Sequence, residues 1–285
     1  MMAVQIHAPT GIEAIRVVQV PDPVPARDGV LVAVEAATIN PVDLLVVSGG
    51  AIDRMPAGRP WTPGWDLAGI VTAVGDDVDP ALEGQRVLGF SQWFRSGQGT
   101  QASRVALPAD AIALSSGAHE PAELTTFGLN GLTALQALDA ADLPSGSALL
   151  VTGATGAVGA FVTQLAEHRG IEVVTVGRAT DHAAFRAIRA DAVVNCAPVN
   201  QTVLDGVRDG GTAISVTRPF TAVRGIRSER IGVRHDPSGL RAVTGLAELG
   251  ILRSHVRRTF PARQAADAYR DLQQSASRGR VVLTF

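Results

Sequence analysis

The chain has 285 residues, 46% hydrophobic and 18% charged, with a net charge of −2. That length allows a well-buried core in one large or two modest domains, and the composition argues against both a disordered chain and a polycationic nucleic-acid binder. A single cysteine, Cys196, excludes a disulfide framework and a cysteine-rich zinc site; the absence of lysine among the 25 basic residues excludes a Schiff-base lysine, a P-loop lysine and a Ser-Lys or Tyr-Lys pair.

The first residues, MMAVQIHAPTGIEAIRVVQV, alternate, and they lack the basic n-region and unbroken apolar h-region of a secretory signal. They predict strands and a cytoplasmic protein. Short β-rich runs follow, GVLVAVEAATI, GIVTAVGDDV, QRVLGF and QASRVALPADAIALS, divided by Gly, Pro and Asp. EPAELTTFGLNGLTALQALDAADLPSG predicts a helical stretch that ends in a Pro-Ser-Gly turn.

The central segment LLVTGATGAVGAFVTQLAEHRG (149–170) lies in a region that carries no charge from Leu143 to Ala166. It is long enough for a membrane span, but its periodicity argues otherwise. A short apolar run meets a glycine turn, and then Val158, Phe161, Val162 and Leu165 fall at i, i+3, i+4 and i+7 on one helix face. Gly170 is placed to end that helix, and IEVVTV predicts a second buried strand. Strand, glycine turn, helix and strand make a βαβ unit, not a membrane span. Further on, DAVVNCAP and GGTAISVT predict buried strands, GLRAVTGLAELGIL a helix, HVRRTF a strand, ARQAADAYRDLQQS an amphipathic helix and GRVVLTF a closing strand.

The glycine spacing of the turn is a variant of the dinucleotide fingerprint. Glycines let the backbone approach a pyrophosphate, and the helix N-terminus offers N–H groups and partial positive charge. Gly153, Thr155, Gly156, Ala157, Val158 and Gly159 are therefore the predicted cofactor loop. After the second strand, VTVGRATDH has Arg178 where an NAD-selecting chain has Asp or Glu. A guanidinium grips a 2′-phosphate through paired charge-assisted hydrogen bonds worth about 1.5–3 kcal/mol. The predicted cofactor is NADPH, with His182 assisting. TGATGAVG is also similar to the opening of some short-chain dehydrogenases, but about 150 residues precede it here, and the Tyr-x-x-x-Lys pair of the catalytic members is absent.

Five motifs in order carry a wider resemblance. NPVD (40–43), PWTPGWDLAGIVTAVG (60–75), GLTALQAL (131–138), GATGAVG (153–159) and AADAYRDL…SRGRVVL (265–272, 277–283) resemble segments of one family. It is that of zinc-independent medium-chain dehydrogenase/reductases of the quinone oxidoreductase (zeta-crystallin-like) type, and the similarity runs along essentially the whole chain. The resemblance implies an α/β protein: a β-rich GroES-like substrate domain, residues 1–120 with 252–285, and a Rossmann-type doubly wound parallel-sheet domain, residues 121–251, for NADPH. Only ADA separates Arg189 from Val193, where relatives carry a further strand and helix, so a shortened sheet is expected. Zinc-containing relatives have a cysteine in place of Asn40 and Gly-His-Glu in place of Gly64-Trp65-Asp66, so no catalytic zinc is expected.

The function so implied is hydride transfer to a quinone or an α,β-unsaturated carbonyl, with the cofactor supplying the chemistry. Thr133, Cys196 and Thr217 are placed along the cofactor. Asn40 is placed to bond the substrate oxygen or the carboxamide, Asp43 to hold the loop or touch a cofactor hydroxyl, and Trp65 and Phe90 to wall a flat acceptor. Read without the resemblance, Asn40 equally suits a cap before Pro41, Asp66 a structural hydrogen bond, and Trp65 and Tyr269 core packing. No general acid stands out. The flank LLVVSGG is apolar where many relatives carry a tyrosine and an arginine, which departs from classical quinone specificity and permits a greasier enone or a different product. The expected partner is a small molecule, without nucleic acid or membrane, and a homodimer is left open. The alternative is a catalytically idle NADPH-binding redox sensor or structural protein.

Overall fold

In the computed structural model, the alternating N-terminus forms β1 (Met2–Ile6) and β2 (Ile15–Gln19), paired antiparallel from Met2↔Gln19 to Ile6↔Ile15. The structure describes residues 1–58, 60–176, 186–274 and 278–285. They fall into two units: Met1–Leu129 with His235–Glu248 and Ser254–Phe285, and Asn130–Arg234 with Leu249–Arg253.

The first unit is built around β3 (Gly29–Ile39), whose β-branched residues suit a pleated, buried strand. One edge of β3 pairs with β4 (Asp66–Val74); the other is shared by β6 (Arg104–Pro108) on Gly29–Ala33 and β14 (Arg280–Thr284) on Ala36–Ile39. The sheet continues outward through β5 (Arg86–Phe90) and β7 (Ile112–Leu114) on one side and β13 (Val256–Pro261) on the other. Val30, Val32 and Val34 of β3 point inward with Leu67, Val71, Val87, Leu107 and Ile112 to form its core. The helix Pro237–Glu248 packs Leu240, Val243 and Ala247 toward β7, and the helix Ala265–Gln274 buries Ala265, Ala268 and Tyr269. The chain end thus closes the same sheet that its first third begins.

In the second unit, the expected βαβ segment is β8 (Ala148–Thr152), the helix Ala157–His168 and β9 (Glu172–Val176). The helix buries Phe161, Val162 and Leu165, as its periodicity predicts, and ends before Gly170 at φ +71°. With β10 (Ala190–Asn195), β11 (Val207–Ser215) and β12 (Arg227–Arg230), the described strands form an all-parallel sheet in the order β9-β8-β10-β11-β12. Leu149, Leu150, Val151, Val193, Val194 and Ile214 are fully buried within it.

One strand departs from its expected environment. IEVVTV reads as buried, yet of β9 Glu172, Val174 and Thr175 are exposed. The reason is position. Only residues 177–189 separate β9 from β10, and β10 pairs on the far side of β8, which leaves β9 at the edge of the described sheet. Among the described residues, no helix is long and apolar enough to cross a membrane.

Candidate functional site

In the second unit, the chain leaves β8 upward to β9 on one side and β10 on the other, so the crevice beyond the carboxyl ends of these strands lies at a topological switch point. A cavity of about 530 Å³ lies there, lined by Gly153, Thr155 and Gly156 of the loop, Thr175 and Val176 of β9, and Cys196 after β10. Gly153 takes the left-handed conformation, φ +66°, to turn the chain off β8. A Cβ on Gly159 would stand 2.2 Å from the Gly153 carbonyl oxygen, so the last glycine lets the helix pack on its own loop. Gly156 is the N-cap of the helix and, having no side chain, makes no side-chain cap hydrogen bond to the N–H groups that follow.

The lip of this crevice is held by hydrogen bonds across three strand ends. Thr152 Oγ1 donates to Asn195 Oδ1 at 2.6 Å, and Asn195 Nδ2 donates to Ser215 Oγ and Thr217 Oγ1, both at 3.0 Å. The Cys196 backbone N–H donates to Thr152 Oγ1 at 3.2 Å. Burial pushes the Cys196 thiol up to about 12, so it is a wall and not a nucleophile. Thr133 stands on the helix Gly128–Ala141 and is 9% exposed. An open helix N-terminus, a glycine turn without side chains and a crevice at the switch point fit the pyrophosphate of a nicotinamide dinucleotide. Arg178 and His182 lie outside the described residues.

In the first unit, the structure brings Asn40, Asp43 and Trp65 into one buried cell. Asn40 is the N-cap of the helix Pro41–Val47 and forms a reciprocal capping box with Asp43; its backbone N–H donates to Asp43 Oδ2 at 2.8 Å. Asp43 is fully buried and held well above the usual carboxylate range, chiefly by burial and then by the charge of Asp66. The Asn40 N–H and the indole N–H groups of Trp65 and Trp93, which face it, pull it back down. Among the described residues, neither indole nitrogen completes a hydrogen bond.

Asp66 lies next to this pair, also fully buried. Its Oδ2 accepts the Leu129 N–H at 3.0 Å at the start of the helix Gly128–Ala141, where a Cβ on Gly128 would meet the Asp66 Cβ at 2.6 Å. Burial pushes Asp66 up to about 7; the Leu129 N–H, the Thr38 and Asn40 side chains and the Arg280 charge oppose that rise. Arg280 in turn falls to about 10, because burial penalises its charge more than Asp66 supports it. Tyr269, fully buried, donates its hydroxyl to Gln101 Oε1 at 3.0 Å.

Trp65 packs its ring 4.8 Å from Phe94, 6.1 Å from Phe90 and 6.4 Å from Trp93. Phe90 is 1% exposed and reaches an 890 Å³ cavity of this unit that Ser91, Gln92, Arg95 and Leu107 also line. Among the described residues, no group of three or more His, Cys, Asp and Glu stands together to hold a metal ion. Sequence reasoning passed over Trp93, Phe94 and Arg280. The signals available were an aromatic pair three and four positions after Phe90 and an arginine leading into an apolar strand, and neither discloses a partner so far away in sequence.

Comparison with known proteins places this architecture. Residues 26–121 match the alcohol dehydrogenase GroES-like domain and residues 170–283 match the zinc-binding dehydrogenase domain. The chain belongs to the medium-chain dehydrogenase/reductase family, which has quinone oxidoreductases among its members. Among its relatives, the Mus musculus quinone oxidoreductase is 35% identical over 153 residues, 53% of this chain and 44% of that protein. The 2-methylene-furan-3-one reductase of Solanum lycopersicum is 30% identical over 206 residues, 67% of this chain and 53% of that protein. This medium-chain dehydrogenase/reductase thus spans about half the length of these two relatives. The quinone oxidoreductase structure from Coxiella burnetii superimposes with a TM-score of 0.87 at 23% identity, covering 100% of this chain and 99% of that one, which shows the shared fold. The β-rich GroES-like unit and the parallel Rossmann-type sheet are those of the family.

Proposed function

We propose that this protein is an NADPH-dependent, zinc-independent oxidoreductase that reduces a quinone or an α,β-unsaturated carbonyl. The observation that carries the reading is the glycine turn and uncapped helix N-terminus beside a crevice at the switch point. Bound there, the dinucleotide would supply a hydride, and the protein's part is to bind, orient and exclude water.

The N–H groups of 156–159 hold the pyrophosphate, with Gly153 and Thr155 shaping the turn. Arg178 and His182 hold the 2′-phosphate, and Thr133, Cys196 and Thr217 lie along the rest of the dinucleotide. Asn40 donates an amide hydrogen bond to the acceptor oxygen, and Asp43 fixes the loop that presents it. Trp65 and Phe90 form the apolar wall. Asn40 and Trp65 stand where zinc-containing relatives place ligands, and neither side chain binds zinc. Acceptors already electrophilic enough to need no metal follow from that. The mouse relative is named for quinones and the tomato relative for an exocyclic enone, so both classes belong in the test.

Nucleotide titration of Arg178→Ala tests the cofactor assignment. NADPH affinity is expected to fall about tenfold or more with NADH little changed. Equal losses for the two would place the 2′-phosphate elsewhere.

A further inference from the structure

Beside the crevice of the second unit, one side-chain amide joins three strand ends. Asn195 closes β10 and is 1% exposed. Its Oδ1 accepts the Thr152 hydroxyl from the end of β8 at 2.6 Å and the Ala197 N–H at 3.4 Å. Its Nδ2 donates to Ser215 Oγ at the end of β11 and to Thr217 Oγ1 just beyond it, both at 3.0 Å. Both donor and both acceptor positions of the amide are therefore used. A backbone N–H can only donate, so the Ala197 N–H fixes which way round the amide sits. Two more bonds carry that constraint to the crevice wall. The Cys196 N–H donates to Thr152 Oγ1 at 3.2 Å, and the Thr217 hydroxyl donates to the Ala197 carbonyl at 3.4 Å. This wall stands hard against the glycine turn: a Cβ on Gly153 would lie 3.0 Å from the Ala197 Cβ and 3.1 Å from the Cys196 carbonyl oxygen. Among the described residues, Thr152, Cys196 and Ala197 line the crevice, and the fully buried Ser215 does not.

We propose that Asn195 is a positioning residue for the dinucleotide, its amide holding the Cys196–Ala197 wall in place across the crevice from the open helix N-terminus. This role rests on the dinucleotide filling the crevice, as proposed above. A buried polar side chain is costly unless its bonds are complete, and an apolar one would pack a parallel sheet as well. What the amide adds is direction, because its four planar bonds tie the segments leaving three strands to one another. An aspartate at this position would keep the acceptors for Thr152 and Ala197. It would lose both N–H donors, and its charge would sit against the residue that precedes the turn assigned to the pyrophosphate.

The test titrates NADPH and NADH into the full chain and then follows turnover. Ser215→Ala removes one partner of the Asn195 amide from a position that does not line the crevice, and NADPH is expected to bind roughly three- to tenfold more weakly. Asn195→Asp loses both donors and is expected to bind about tenfold or more weakly. Each loss should be equal for NADH, because the wall serves the part common to both nucleotides and not the 2′-phosphate. In turnover the loss should appear in the KM for NADPH, with kcat little changed. A purely structural role would lower the melting point of both variants and leave nucleotide affinity at the wild-type level below the transition, which would overturn the proposal. Should Asn195→Asp fail to fold, Ser215→Ala decides. If the wild type binds NADPH and Ser215→Ala binds it equally well, the role of Asn195 falls and the crevice assignment stands. If the wild type binds neither nucleotide, the crevice assignment falls, and this role with it.

Discussion

Asp43 and Asp66 both titrate above the ordinary carboxylate value of 3.8, and burial is the first cause in each. A carboxyl with a raised folded pKa binds more protons folded than unfolded, so its effect is to lower stability as pH rises from its unfolded to its folded pKa. For Asp66 that window runs from 3.8 to about 7. The carboxylates with lowered values, Asp22, Asp191 and Asp236, act below 3.8 and leave the window clear. The thermal midpoint is therefore expected to drop by several degrees between about pH 5 and about pH 8. Asp43→Asn keeps an acceptor for the Asn40 N–H and removes a buried ionisation, so it should raise the midpoint on the alkaline side and flatten the slope. A wild-type midpoint that climbs with pH would contradict this account of the cell. The glycine loop makes a second pair of predictions at this scale. Gly159→Ala forces a Cβ to 2.2 Å from backbone oxygen and should lower both the melting point and nucleotide affinity. Gly156→Ala, with ordinary φ of −84° and 3.2 Å of clearance, should melt within a few degrees of wild type. It should still lose nucleotide affinity, because the methyl stands where the backbone meets phosphate. Melting curves and nucleotide titrations separate the two effects. The loop was legible from its spacing, whereas the influence of the Arg280 charge on Asp66 was not, because the two residues lie far apart in sequence.

Among the elements, β9, like β12, is an edge strand of the described sheet. It pairs with β8 alone among the described strands, and its Val174 is 36% exposed. Backbone groups on an unpaired edge meet water and open at lower free energy than those of a central strand. Hydrogen exchange should therefore be faster along Glu172–Val176 than along β8 and β10. Equal protection of β9 and β10 would mean that the β9 edge is covered in solution. The helix Ala157–His168 and the closing strand β14 were readable because periodicity reports which face of an element is buried. The exposure of β9 was not readable in that way. An apolar run fixes that a strand forms, while its rank in the sheet depends on how much chain is available to reach the next strand.

For the whole molecule, the order of motifs disclosed more than any one of them. A glycine turn alone suits several families. The same turn after a β-rich segment, before a strand that returns to β3, is the arrangement of the medium-chain dehydrogenase/reductases. The reaction is less legible, because quinone and enone reduction ask for the same hydride geometry, and Asn40, Trp65 and Phe90 suit either acceptor. The central claim is a metal-free, NADPH-dependent reduction. Its most direct test follows NADPH consumption, beside NADH, by chelator-treated protein offered a panel of quinones and conjugated enones, with products identified. The account predicts turnover that survives chelation and favours NADPH, the best acceptor naming the substrate class. NADPH binding without turnover of any acceptor would contradict it and support an idle redox sensor. Activity lost on chelation and restored by zinc would contradict the metal-free claim.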